Sequence, residues 1–185
     1  MSSMLQHTYP TQTCSIARTL EVVGERWSLL VLRDALFGRR RFDEFQAGLG
    51  IASNVLAARL ARLCGEGLLE RRLYQTRPAR HEYLLTEKGR DLAPALLMIM
   101  KWGDRYYPNP AGPPRVAVHA GDCGGELDDQ LTCRRCGQVV GFGGVEIKPG
   151  PGLAGHESPS GPGASSTSRA RRHESSDCSS KFSTA

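Results

Sequence analysis

A mainly α-helical domain closed by a small β-hairpin is the fold that residues 14–107 predict, and three observations carry it. Leu56, Leu60 and Leu63 recur at steps of four and three, so one side of a helix from Ser53 to Cys64 faces a core. A short segment with Phe42 and Phe45 three apart precedes it across a turn marked by Gly48 and Gly50. A mixed apolar and arginine run from Leu68 to Tyr74 and a return strand from His81 to Leu85 follow it, with Gln75 to Ala79 and its Pro78 as the hairpin tip. Helix, turn, helix and hairpin in that order form a winged helix-turn-helix, an architecture suited to placing its second helix in a DNA groove.

The remaining elements follow from the same patterns. Ile16, Ala17, Leu20 and Val23 form a helical stripe from Cys14 to Val23, which Gly24 ends. Trp27 to Phe37 is apolar almost all round and is expected as a central helix covered on several sides. Thr86 caps a last helix with Glu87 in its first turn, and Leu92, Leu96, Leu97, Ile99, Met100 and Trp102 extend it to about Tyr107, with a kink expected at Pro94. That helix carries more apolar surface than a small domain buries by itself. Pairing with a second copy, helped by the first helix, would cover the surplus.

The domains expected are a flexible N-terminus over 1–13, the helical domain over 14–107, a linker over 108–115, a ribbon-like Cys module over 116–147, and a disordered Gly/Pro/Ser-rich tail over 148–185. The 185 residues, 39% of them hydrophobic, support one main core and something smaller. A net charge of +5 is compatible with a polyanionic partner without requiring one. No apolar run approaches the ~20 residues of a membrane span, and residues 1–10 lack the blocks of a secretory signal, so a cytoplasmic location is expected. No nucleophile elbow, phosphate loop or pair of acids suggests an enzyme.

The ordered pieces of residues 14–107 resemble one family. They are the leading Cys14, the run Gly-Glu-Arg-Trp-Ser-Leu-Leu-Val-Leu-Arg-Asp from Gly24 to Asp34, Arg41-Phe42-Asp43-Glu44-Phe45, and Arg59-Leu60. Glu66-Gly67-Leu68-Leu69-Glu70-Arg71, Pro78, Glu82-Tyr83 and Leu85-Thr86-Glu87-Lys88-Gly89 complete them. In order and spacing they resemble the HxlR-type transcriptional regulators, a branch of the MarR-like winged-helix proteins. The resemblance covers about half the chain. It implies a homodimer that binds specific DNA sequences as a local repressor or activator, with repression the expected sign. One departure is Ala52, where many relatives place a serine, with Ser53 left as the candidate cap.

Phosphate contacts supply affinity and base contacts supply specificity, so the basic residues sort by position. Arg39, Arg40 and Arg41 precede the positioning helix and could grip the backbone. Arg71, Arg72, Arg77 and Arg80 populate the wing, against phosphate or in a narrow minor groove. Asn54 and Arg62 suit adenine and guanine edges, beside the small Ala57 and Ala58, while Ser53 and Arg59 are expected on phosphate.

Six cysteines in a reducing compartment read as core filler, metal ligand or redox group. His119-x3-Cys123, nine intervening residues, then Cys133-x2-Cys136-Gly137 give four ligands suited to one tetrahedral zinc. A reversible dithiol and metal-free cysteines stay open, because a ribbon usually has two C-x2-C knuckles and the first here is H-x3-C. Cys64 is expected in the core, and Cys178 lies in the tail. The family resemblance gives Cys14 a further role, since some members sense oxidants through a cysteine at this position. Two alternatives from other classes are a protein-interaction module and a thiol-redox protein using Cys133 and Cys136.

Overall fold

The computed structural model describes Tyr9 and residues 11–153. The expectations for residues 154–185, Cys178 included, and for most of the N-terminus lie outside the described residues. Helix α1 spans Ser15–Val23, α2 Ser28–Leu36, α3 Phe42–Leu49 and α4 Ser53–Gly65. Strands β1 (Leu69–Thr76) and β2 (Ala79–Leu85) pair antiparallel, with Arg72 opposite Glu82. Helices α5 (Glu87–Arg90) and α6 (Ala93–Tyr106) follow, then β3 (Arg115–His119) and β4 (Val145–Pro149), which form a second antiparallel pair. Among the described residues no helix is long and apolar enough to cross a membrane.

The main core is the one the leucine spacing requires. Leu56, Leu60 and Leu63 of α4 are fully buried with Val31, Leu32 and Phe45, and Val23, Ile51, Leu68 and Leu69 close the same cluster. Trp27 precedes α2 at φ 81°, a left-handed conformation that side chains with a Cβ avoid. Its ring packs against the core, which offsets that cost. Replacing Leu60 by Ala removes a fully buried side chain at the centre of this cluster. A loss of about 2–5 kcal/mol in urea unfolding is expected, against near neutrality for the exposed Ala61→Ser.

Several boundaries differ from expectation for identifiable reasons. Gly48 lies within α3 and only Gly50 turns the chain, at φ 60°. Ala52 is the N-cap residue of α4, with no side-chain cap, and Ser53 is its first helical residue. The hairpin strands run further than expected, leaving only Arg77 and Pro78 at the tip. Thr86 does cap: its Oγ1 accepts from Gly89 N at 3.1 Å. The helix it starts ends at Arg90, however, and a new one begins at Ala93 with Pro94 in its first turn. No kink results, because a proline there removes an N–H that would have had no helical partner.

Helix α6 serves two cores. Leu92 and Leu96 pack against the main cluster, whereas Leu97 and Met100 pack with Ala117, Leu127, Leu131, Cys133 and Val140 of the second module. Order also continues past residue 147: β4 runs to Pro149, and Gly150 and Gly152 donate to the carbonyls of Pro114 and Pro113. The expected tail boundary is therefore too early, since residues 148–153 find backbone partners in the 113–116 stretch.

Candidate nucleic-acid interface and metal centre

The outward face of α4 is set by what its other faces must do. With the leucines turned inward, Asn54, Ala57, Ala58 and Ala61 fall at i, i+3, i+4 and i+7 and are all exposed. Ser53 begins the same face, and its hydroxyl accepts from Gln46 Nε2 at 2.7 Å, tying the start of α4 to α3. The surface is small and weakly polar, so a partner can approach the helix backbone closely.

The arginines divide into those turned inward and those left on the surface. Arg62 and Arg59, expected at a base edge and on phosphate, instead meet Glu25 in the α1–α2 connection: Arg59 in a close ion pair, Arg62 at 3.6 Å with a further bond to the Glu21 carbonyl. Without DNA, both guanidiniums are thus engaged within the protein. The flank of α4 that carries them packs on the first helix and its following loop, which brings both guanidiniums within reach of the half-buried Glu25. Arg39 is engaged in the same way. Its Nη1 bonds the buried Asp34 at 2.6 Å, and its guanidinium lies so close over Gly48 that a Cβ there would overlap it. Asp34 also accepts from Arg33 at 2.8 and 2.9 Å.

Arg40 and Arg41 stay exposed, and their backbone joins the wing: Tyr83 N donates to Arg40 O at 2.7 Å, and Arg41 bridges Glu82. Glu44 Oε2 accepts from both their amides, and the Arg41 guanidinium stacks over Tyr74 at 4.9 Å. On the wing, Arg72 pairs with Glu82 at 2.6 Å across the strands, and Arg71 meets His81 Nδ1 at 3.0 Å. Arg77 and Arg80 are exposed at the tip with no ion pair among the described residues. Exposed cations thus lie both at the start of α3, which is joined to the wing, and at the tip of the hairpin.

The four sulfur and nitrogen ligands foreseen from spacing come together. The ligand atoms of His119, Cys123, Cys133 and Cys136 all lie within 4.8 Å of one another. Cys123 Sγ is 3.6 Å from Cys133 Sγ, and Cys136 Sγ is 3.4 Å from His119 Nδ1. A tetrahedral ion with bonds of about 2.3 Å to sulfur and about 2.0 Å to nitrogen has edges of about 3.8 and 3.5 Å, so the spacing fits one metal ion. Cys133 is buried, and a Cβ at Gly125 would sit 2.6 Å from its sulfur, which makes glycine necessary there.

Electrostatics favour a cation in the same place. The backbone N–H of Cys136, against the opposing effect of desolvation and with help from Arg135 N–H and the neighbouring thiols, lowers the Cys133 thiol to about 6. The Gln138 amide favours the Cys136 thiolate, but desolvation and the bonds with Cys133 and Cys123 push that thiol up. One thiolate thus forms readily and opposes the next, a repulsion that a divalent ion relieves. Asp128 steadies the intervening loop by accepting from Thr132 and Gln130 amides at 2.8 and 2.9 Å, and those bonds lower its pKa.

Cys14 is exposed at the N-terminus of α1, where its sulfur accepts from Ala17 N at 3.3 Å. Cys64 packs against the main core as expected, and burial raises its thiol. Asp34, Glu25 and Gln46 organise the site without having been foreseen. A lone acid inside the apolar α2 was the one available signal.

The geometry is that of a winged helix-turn-helix with an appended cysteine module, and comparisons with known proteins agree. The HxlR-like helix-turn-helix family model matches residues 22–111. An uncharacterized HTH-type transcriptional regulator of Mycobacterium tuberculosis, Rv3095, is 47% identical over 139 residues, covering 75% of this chain and 87% of that one. The chain belongs to the HxlR-like helix-turn-helix family. YdeP of Bacillus subtilis, also an uncharacterized HTH-type regulator, is 34% identical over 94 residues, 50% of this chain and 73% of its own. The crystal structure of PA1607, described as a candidate transcription factor, superposes with a TM-score of 0.57 at 36% identity, covering 74% of this chain and 94% of that one. A 139-residue match cannot fit within the helical domain, so the similarity to Rv3095 takes in the second module as well.

Proposed function

We propose that the protein represses transcription by binding duplex DNA as a homodimer, with α4 in the major groove and the β1–β2 wing on the backbone or in the adjacent minor groove. The observation that carries this reading is the exposed face of Asn54, Ala57, Ala58 and Ala61 on the second helix of a helix-turn-helix, whose α3 start and wing also expose Arg40, Arg41, Arg77 and Arg80. Asn54 reads a base edge, the alanines allow close approach, and Ser53 with the surface arginines holds phosphate. Family membership supports the DNA-binding class directly. Mobility shifts of promoter fragments with the full chain test it: affinity falls steeply between about 50 and 200 mM salt, and a salt-independent affinity contradicts it.

The homodimer rests on what α1 and α6 leave uncovered. Met98, Ile99, Trp102 and Tyr106 share one exposed stripe of α6, and Ile16 and Leu20 are exposed on α1. Ile99 is 53% and Trp102 56% exposed, too much apolar area for a face meant to stay in water. The double variant Ile99→Glu/Trp102→Glu is expected to sediment as a monomer at micromolar concentration, where the parent is a dimer. A parent that is itself monomeric would end this part of the reading.

The second module takes one zinc through His119, Cys123, Cys133 and Cys136, in a structural role, since all four ligands come from the protein. Cys14 sits exposed at the start of α1, two residues before the exposed Ile16, and in this reading its thiol senses oxidants. Cys14→Ser abolishes any oxidant effect on DNA affinity; an unchanged effect removes Cys14 from this role.

A further inference from the structure

The second module does not lie flush against the helical domain. Between α2, α6 and β4 it leaves a cleft of about 610 Å³, half open to solvent and within the volume range of small-molecule sites. Leu36, Leu96, Leu97 and Met100 wall it on the helical side, with Val145 and Ile147 on the module side. Charged groups are few and predominantly cationic. Arg33 lines the cavity with its Nε and Nη2 on Asp34, and that single carboxylate also serves Arg39. Glu146, the acid in the lining, is 3.4 Å from Lys148 Nζ. Arg115 lies over the Phe37 ring, 4.8 Å from its centroid, and makes no ion pair among the described residues.

A guanidinium placed over an aromatic ring spends none of its N–H donors on that contact, and its fork is one that a carboxylate accepts in two parallel bonds. Behind that fork the walls are apolar. We propose that the cavity is an effector site for a small apolar monocarboxylate, an aromatic acid or a medium-chain acyl acid, with its carboxylate on Arg115 and its body between α6 and β4. Neutral apolar molecules lack the group that Arg115 recognises, and dianions would place a second charge against Leu97 and Met100 or beside Glu146. The walls include α2, which packs against α4, and α6, which carries the exposed stripe. A ligand there touches the supports of both.

Calorimetric titration of the full chain, without DNA, with 2-naphthoate, octanoate, 2-naphthalenemethanol and 1-octanol tests the site separately from any DNA reading. Saturable binding of at least one acid at one per chain is expected, with its matching alcohol weaker by about tenfold or more, the worth of a charge-assisted pair. Arg115→Gln weakens the acid by a similar factor, and Ile147→Trp, which narrows the space between α6 and β4, weakens acid and alcohol alike. Circular dichroism establishes that each variant is folded, and either one alone decides the matter if the other does not fold. The proposal is overturned if neither acid binds saturably, the result if residues 154–185 or a second copy fill the space. It is equally overturned if acid and alcohol bind alike, or if the folded variants bind as the parent does.

Discussion

Replacing Cys133 by Ser should lower zinc content from one per chain to below about 0.2 and unfold the second module while the helical domain stays folded. The buried sulfur of Cys133 is 3.6 Å from Cys123 and belongs to the same apolar cluster as Leu127, Leu131 and Val140. That cluster is small, and below about 40 residues a unit usually needs a metal or a disulfide to hold together. Removing one of four ligands costs a large part of a binding energy that, in zinc-dependent folds, is folding energy. A strong chelator acting on the parent should reproduce the effect, seen as a separate low-temperature transition in calorimetry. Leu97 and Met100 would then lose their cover, so the exposed apolar area of α6 should grow and aggregation with it. An unchanged melting profile in metal-free protein would assign the cysteines to packing alone.

The second large effect concerns DNA. The triple variant Arg71→Ala/Arg77→Ala/Arg80→Ala should weaken binding to all duplexes by a similar factor and reduce the slope of log affinity against log salt by about 0.9 for each phosphate no longer neutralised. Asn54→Ala should behave differently, costing about 1–3 kcal/mol on the preferred site and little elsewhere, because a base-edge hydrogen bond counts only where the base is right. Arg62→Ala separates the inward role from the base-reading role that spacing alone suggests. With its guanidinium on Glu25 and the Glu21 carbonyl, Arg62 braces α4 against the α1–α2 connection, so its loss should appear in stability before specificity. If Arg62→Ala instead relaxed specificity at one base pair with stability unchanged, the inward placement would be the wrong guide to the DNA complex.

Some of this is legible in the chain before it folds. Leu56, Leu60 and Leu63 fix which face of α4 is buried through helical period alone, and so also leave Asn54, Ala57 and Ala58 outside. The cluster of His119, Cys123, Cys133 and Cys136 is equally legible, since a C-x2-C-G turn and an H-x3-C turn each bring two donors together locally, leaving only one long-range closure open. The directions of Arg39, Arg59 and Arg62 are not. Each is long enough to reach inward or outward, and the choice is made by Asp34 or Glu25, acids whose nearness is a tertiary fact. Pro94 misleads for a related reason: in the sequence it interrupts a continuous stripe, but the chain breaks at Asp91 and Leu92 and begins a new helix around it. The docking of the second module on Leu97 and Met100, and the cavity left there, depend on two units meeting and have no local signature.

The most direct test of the central claim is selection of bound genomic fragments by the purified full chain, followed by footprinting of the best ones. Protected sites should show two-fold symmetry, with half-sites about one helical turn, or about 34–36 Å, apart, and Asn54→Ala should lose the advantage of the preferred base pair. Failure to retain any duplex at low ionic strength, or protection without symmetry that Asn54→Ala leaves unaltered, would contradict DNA reading by a dimer through α4.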